Sequence, residues 1–158
     1  MAVTTENSNL MANALASPVK LNEGAVDGTA KIWTFTQGAA AGDANSIARL
    51  FILKANEVLD THHFSIAYSA FGAARTLDIG WEAYTLPDGT AVAADPNGIA
   101  DGIDVSSAGR SVVADAPTSN VDSLGPIKAD ITITAQVIGG TIPAAATING
   151  SAHVGKPS

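Results

Sequence analysis

Apolar and polar side chains alternate along residues 127–137 (IKADITITAQV), with an apolar residue at every odd position. A period of two residues is typical of a strand that buries one face and exposes the other to solvent. Gly139 and Gly140 follow, and glycine tolerates the positive φ angles that tight hairpin turns require. The alternation then resumes on even positions, from Ile142 to Val154. The pattern predicts a β-hairpin in which two matched strands flank a glycine turn.

Other segments alternate in the same way or are rich in β-branched and aromatic residues, and they predict further strands. Residues 86–90 (LPDGT) predict a turn, because proline presets φ and Asp-Gly supplies the bend. Seven or eight short strands separated by turns indicate an all-β fold, a single-domain β-sandwich or jelly roll. The further predicted strands are 30–37, 46–53 (strand favoured over a short helix), 64–69, 75–84 and 91–94, with connectors at 56–60 and 116–126, an irregular loop or short helical turn at 95–109 and a brief edge pairing at 111–114.

The first 29 residues differ in character from the rest of the chain. They are polar and small, and Pro18, Gly24 and Gly28 interrupt any regular element. Residues 9–16 have the composition of a short helix. The sequence therefore predicts an extended N-terminal arm, residues 1–29, followed by a β-sandwich domain, residues 30–158.

Charge and composition exclude several classes of function. The net charge is −7, and residues 78–122 hold eight acids against one base, Arg110. An acidic chain without a basic patch argues against nucleic acid and against anionic membrane surfaces as partners. The chain has no cysteine, which excludes disulfides and thiolate metal sites. It has no secretory signal and no apolar run near the roughly 18 residues of a membrane span, so we expect a soluble protein made in the cytosol.

Two groups of residues have the chemistry of metal ligands. His62 and His63 are adjacent, and neighbouring residues on a strand point to opposite faces, so we expect surface histidines rather than one chelating pair. The segment from Asp95 to Asp104 is rich in aspartate, asparagine and glycine, which suits either calcium or simple turns. Its spacing differs from the twelve-residue calcium loop, so turn formation is the preferred interpretation and no cofactor is expected.

Carboxylate pairs for acid–base chemistry could come from Asp78 with Glu82, or from Asp101 with Asp104. The tryptophans and tyrosines that would line a sugar cleft are explained equally well by strand packing. Ser65 and Ser69 lie near His62 and His63 in sequence, but no nucleophile elbow surrounds them, and no phosphate-binding loop occurs. The sequence therefore predicts a protein that is not an enzyme.

The run from Gly72 to Ser107 resembles small auxiliary structural proteins of tailed bacteriophages, the head decoration or cement proteins. The resemblance covers residues 30–110 and lies in the stretch GAARTLDIGWE, in Asp88-Gly89-Thr90 and in DPNGIADGIDVS. It implies a β-rich, homotrimeric protein that binds the outside of a capsid where neighbouring capsomers meet. The implied partner is the major capsid protein, and the implied location is the virion surface after synthesis in the bacterial cytoplasm.

On this hypothesis many copies clamp the shell by surface burial, and modest individual affinities sum through multivalency. The arm is expected to contribute the apolar contacts Leu10, Met11, Leu15 and Val19. The alternative is a tail- or fibre-associated, or carbohydrate-binding, β-sandwich module. That alternative predicts an exposed aromatic platform built on Trp33 or Trp81.

Overall fold

The computed structural model describes residues 5–8, 30–38 and 41–156, and its secondary structure is almost entirely β. Within these residues no helix is long and apolar enough to cross a membrane. The all-β prediction is confirmed. The strands are β1 Thr5–Asn7, β2 Ala30–Thr36, β3 Ile47–Leu53, β4 Val58–Tyr68, β5 Thr76–Trp81, β6 Tyr84–Thr85, β7 Ala91–Val92, β8 Asp95–Asp104, β9 Gly109–Val112, β10 Thr118–Ser119, β11 Ser123–Leu124, β12 Ile131–Ile138 and β13 Thr147–Gly155, with a 3-10 turn at Val113–Asp115.

Two large sheets pack face to face as a sandwich. Sheet A has the strand order β1-β3-β12-β5-β8-β10, and sheet B has the order β11-β4-β13-β2, with β9 added beside β4. Strands β6 and β7 form a small separate ribbon. Among the described pairs, only β1 and β3 run parallel. Consecutive long strands tend to lie in opposite sheets, so the chain crosses the sandwich repeatedly.

An aromatic cluster joins the two sheets at the centre of the core. Trp33 of β2 lies 4.9 Å from Phe51 of β3 and 5.4 Å from Phe64 of β4, measured between ring centroids. The Trp33–Phe64 contact is edge-to-face, which the charge distribution of aromatic rings favours. Gly150 of β13 makes room for the indole, since a Cβ at this position would lie 2.2 Å from Trp33 Cζ2. The thin, alanine-rich composition therefore still yields one continuous core.

A charged pair lies inside the same core. The period of two that turns Trp33 inward on β2 also turns Lys31 inward, and its Nζ lies 3.4 Å from Glu57 Oε1. Both side chains are 1% exposed. Glu57 precedes β4, and its Oε2 also accepts a hydrogen bond from the backbone N–H of Lys54 (2.8 Å). The pair links β2 to the β3–β4 connection.

The predicted hairpin of residues 127–154 is wrong, although its alternation is real. Strand β12 buries its odd positions and β13 its even ones, but β12 pairs with β3 and β5 in sheet A, whereas β13 pairs with β2 and β4 in sheet B. The connection, residues 139–146, crosses from one sheet to the other. The alternation specifies which face of each strand is buried. The same pattern arises whether the two strands pair in one hairpin or lie in two sheets that face each other.

The prediction of a loop at 95–109 is also wrong, because residues 95–104 form β8 beside β5. The aspartate, glycine and proline residues of this strand are typical of turns, so its composition does not indicate a strand. Gly80 lets the two strands approach closely, since a Cβ there would lie 1.9 Å from Asp95 O. Near Pro96, β8 has β5 on one side and no described strand on the other, because β10 pairs with β8 only at Ala100 and Asp101. A proline, which lacks an N–H, is tolerated at such a sheet edge. Two further connectors are partly wrong, since β4 begins at Val58 and residues 116–126 include β10 and β11.

Residues 5–8 of the predicted arm lie against sheet A. Thr5–Asn7 run parallel to β3, and the backbone N–H of Ser8 donates to Arg49 O (2.7 Å). Ser8 is buried, and its hydroxyl donates to Leu50 O. The division of the chain at residue 29 remains a prediction.

Candidate partner-binding surface

The solvent side of sheet B carries mostly short and uncharged side chains. Alternation on β2, β13 and β4 directs short hydroxyl and amide side chains outward, around one exposed large apolar residue, Ile32, which is 69% exposed. Cross-strand register places Ser151 between Ile32 and Ser65, in the middle of this surface. We name these residues the outer face: Ile32, Thr34, Thr36, Ser65, Ala67, Arg110, Thr147, Asn149, Ser151 and His153.

Hydrogen bonds fix the side of the outer face next to β9. Arg110 donates from Nη2 to Ser65 Oγ (3.0 Å), and Ser65 Oγ lies 3.4 Å from Ser151 Oγ. Tyr68 and Ser111 join their hydroxyls at 2.9 Å behind this row. The outer face is therefore held in one arrangement by its own side chains.

The signal for Ile32 was present in the sequence. Trp33 and Phe35 are the bulky residues of β2, so the period of two places residue 32 outside and residue 31 inside. The strand predicted over residues 30–37 carries no assignment of its two faces. Strand β2 therefore exposes Ile32 on its outer side and buries Lys31 on its inner side.

The three histidines of the chain converge at one end of the outer face. Between β4 and β13 the register moves from Ala152↔Phe64 to His153↔Asp60, so three residues of β4 bulge out against one step of β13. In this bulge the side chains of His62 and His63 are both exposed. The expectation of surface histidines is therefore confirmed, and the bulge interrupts the strand period that would otherwise turn one of the two side chains inward.

Asp60 forms hydrogen bonds with both histidines of the bulge. Its Oδ1 accepts the backbone N–H of His62 (2.9 Å), and its Oδ2 lies 2.6 Å from His63 Nδ1. The hydrogen bond from His63 is the first cause that lowers the pKa of the Asp60 carboxyl below its ordinary value, and the His62 N–H adds to it. A carboxyl with a lowered folded-state pKa contributes stability above its unfolded pKa, and that contribution is lost as the pH falls through the folded value.

The rings of His63 and His153 stack, with centroids 5.3 Å apart and planes 17° apart. His62 Nε2 lies 3.9 Å from Asp122 Oδ1, just before β11. We call these five residues the histidine cluster: Asp60, His62, His63, Asp122 and His153. Within the residues that the structure describes, no three histidine or acidic side chains are arranged to hold a metal ion.

The carboxylates predicted as catalytic pairs are arranged differently. Glu82 accepts a hydrogen bond from Arg49 Nε (2.7 Å), and Asp104 accepts the backbone N–H of Ser106 (2.8 Å). Asp78 lies instead beside Asp101 on sheet A. Burial raises the pKa of the Asp78 carboxyl above its ordinary value, and the negative charge of Asp101 raises it further.

The aromatic residues do not form the exposed platform of the alternative hypothesis. Trp33 is 1% exposed and belongs to the core. Trp81 is half-buried against the core, close over Gly98, where a Cβ would lie 2.4 Å from its ring. Ser65 and Ser69 likewise bond to other partners than the histidines, since Ser69 Oγ accepts the N–H of Thr147 (2.9 Å).

The predicted contact residues of the arm, Leu10, Met11, Leu15 and Val19, lie outside the described residues. The segment of residues 95–104, considered for calcium, is strand β8 rather than a flexible loop. Asp101 Oδ2 lies 3.5 Å from Asn97 Nδ2 there.

With the sandwich fold established, comparison with known proteins gives one informative likeness. No protein-family model matches the chain, and no curated protein matches it. A chain in the solved capsid of Ralstonia phage GP4 is similar to it with a TM-score of 0.61 and 16% sequence identity, over 98% of this chain and 99% of that one. A chain in the structure of infectious bursal disease virus, Gx strain, aligns with a TM-score of 0.38 and 14% identity, over 79% of this chain and 32% of that one. The first likeness shows a shared fold along the whole chain.

Proposed function

We propose that the protein is a structural component of a phage virion, which binds the outside of the capsid and stabilises it by bridging neighbouring capsid subunits. The observation that carries the proposal is the whole-length likeness to a chain of a phage capsid. Since the alignment spans nearly all of both chains, the two have nearly the same length and share a complete fold rather than a common motif. The resemblance of residues 30–110 to decoration proteins supports the same function independently of the fold.

The outer face is the contact surface in this proposal. A sheet face of short side chains loses little rotamer entropy on binding, because serine, threonine and alanine have few rotatable bonds. It exposes hydrogen-bonding groups around Ile32, the one exposed large apolar residue among the described residues. In a chain of net charge −7, a surface almost free of acids also avoids repulsion from a neighbouring copy or shell subunit.

The arm supplies the second contact. In the sequence, residues 9–29 follow strand β1 and precede strand β2, and Leu10, Met11, Leu15 and Val19 are the proposed apolar anchors. We propose a homotrimer as the bound form. Several modest contacts per copy then combine through multivalency.

A charge placed in the outer face tests the proposal. Ile32→Glu puts a carboxylate on the edge strand of the outer face without touching the core, because the side chain is already solvent-exposed. Ala91→Glu is the matched control, since Ala91 is exposed on the separate β6–β7 ribbon. We expect the first variant to lose at least tenfold in affinity for purified shells prepared without this protein, and the second to bind as the wild type does. Equal binding by both variants would reject the outer face as the contact.

A further inference from the structure

Of the histidine cluster, only His153 belongs to the outer face, and the contact proposed so far gives its ring no particular role. All three histidines of a 158-residue chain lie in this one cluster. Histidine is the side chain whose ordinary titration falls between pH 5 and 8.

The three rings have different surroundings. His63 is paired with Asp60 at 2.6 Å, and His62 faces Asp122 at 3.9 Å, so a carboxylate is available to each when it is protonated. Within the described residues, no carboxylate is paired with His153. Its neighbours across the sheet are Ala30 on β2 and Asp60 on β4, and the Asp60 carboxylate is bound to His63 and to the His62 N–H.

The remaining charged groups do not balance His153 either. Lys31 follows Ala30 on β2 but points into the core, where it meets Glu57. Lys156, the next cation along the chain, is exposed just beyond the end of β13. A proton on His153 therefore adds a cation beside the His63 ring, on an outer face whose other charged residue is Arg110, bound to Ser65.

We propose that His153 makes docking through the outer face sensitive to pH. In its neutral form the ring stacks on His63 and suits burial against the neutral, hydrogen-bonding shell surface that an almost uncharged face would fit. In its protonated form it must lose hydration with no carboxylate partner among the described residues, which is costly. The inference rests on the proposed function, because it concerns the same contact.

The consequence is quantitative. If docking requires the release of one proton, the dissociation constant rises about tenfold for each pH unit below the titration of that group. His62 and His63 keep their carboxylates and contribute less. The logarithm of the dissociation constant should therefore change with a slope near one, and this slope should depend on His153.

The test compares two variants between pH 8 and pH 5.5. His153→Gln removes the titrating ring, whereas His62→Gln removes an exposed histidine outside the stack and serves as the control. Affinity for shells prepared without this protein is measured at each pH, with circular dichroism to confirm that the fold persists. We expect wild type and His62→Gln to weaken by about tenfold per pH unit below the titration, and His153→Gln to bind nearly independently of pH.

The outcomes separate the two proposals. Binding of the wild type with equal affinity at pH 8 and pH 5.5, or a slope that His153→Gln leaves unchanged, would overturn the pH inference and leave the proposed function intact. Failure to bind shells even at pH 8 would overturn the proposed function itself, and the inference with it.

Discussion

Replacing Glu57 by glutamine leaves the amino group of Lys31 in the core without the carboxylate that faces it. The two groups are 3.4 Å apart, and each side chain is 1% exposed, so water cannot take the place of the lost charge. Glutamine keeps the volume of the side chain and an oxygen that can accept the N–H of Lys54. The substitution therefore removes the negative charge and little else.

Removal of one partner from a buried ion pair costs about 3–5 kcal/mol, because the remaining charge loses the opposite charge that offset its desolvation. A domain of this kind has a total unfolding free energy of about 5–15 kcal/mol, so the expected loss is a large part of it. Replacing both partners, Lys31→Met with Glu57→Met, should restore most of the loss, since neither charge of this pair then remains buried.

The assay is urea unfolding followed by the fluorescence of the buried Trp33, with free energies obtained by linear extrapolation. The control is Lys54→Met, which breaks the 3.0 Å pair with Asp130 at the surface, where the side chains are 34% and 51% exposed. An exposed pair contributes about 0–1 kcal/mol. A loss for Glu57→Gln no greater than that of the control would refute the view that a buried charged pair links β2 to the β3–β4 connection.

Two further predictions concern the sheets. Gly150→Ala should destabilise the fold by about 1–3 kcal/mol, since its Cβ would lie 2.2 Å from Trp33 Cζ2. The control is Gly155→Ala on the same strand, which has open space around its Cβ and should unfold at the wild-type temperature. Equal melting temperatures for the two variants would contradict the close approach of Gly150 to Trp33. Asp78→Asn should stabilise the protein at neutral pH by roughly 0.5–1 kcal/mol, because it removes a buried carboxylate next to the charge of Asp101. Because the folded-state pKa of Asp78 is raised, its carboxyl favours folding at acidic pH and opposes folding as the pH rises. The extra stability of Asp78→Asn, measured by urea unfolding at several pH values, should therefore disappear below about pH 4. Extra stability that persists at pH 3 would contradict the buried carboxylate as its cause.

The local patterns in the sequence predicted strands well and their neighbours poorly. The alternation of residues 127–137 correctly places Ile131, Ile133 and Val137 in the core. It could not predict that β12 and β13 lie in different sheets, because burial of one face does not specify a hydrogen-bonded neighbour. Long-range pairing depends on the whole set of strands and on the length of each connection.

Strand β8 and the histidine cluster were missed for a different reason. The composition of residues 95–104 is that of turns, and a strand forms there because Gly80 on β5 admits the close backbone. The joint exposure of His62 and His63 depends on a bulge whose cause lies across the sheet, in the change of register at His153. Neither feature is encoded within its own stretch of sequence.

The proposal that the protein decorates a capsid is tested most directly by counting its copies in purified virions. Quantitative mass spectrometry of particles from the source would give the ratio of this chain to the major shell subunit. We predict hundreds of copies per particle, in a fixed ratio to that subunit. A handful of copies would place the protein in the tail or fibres, and its absence from the particle would contradict a virion role altogether.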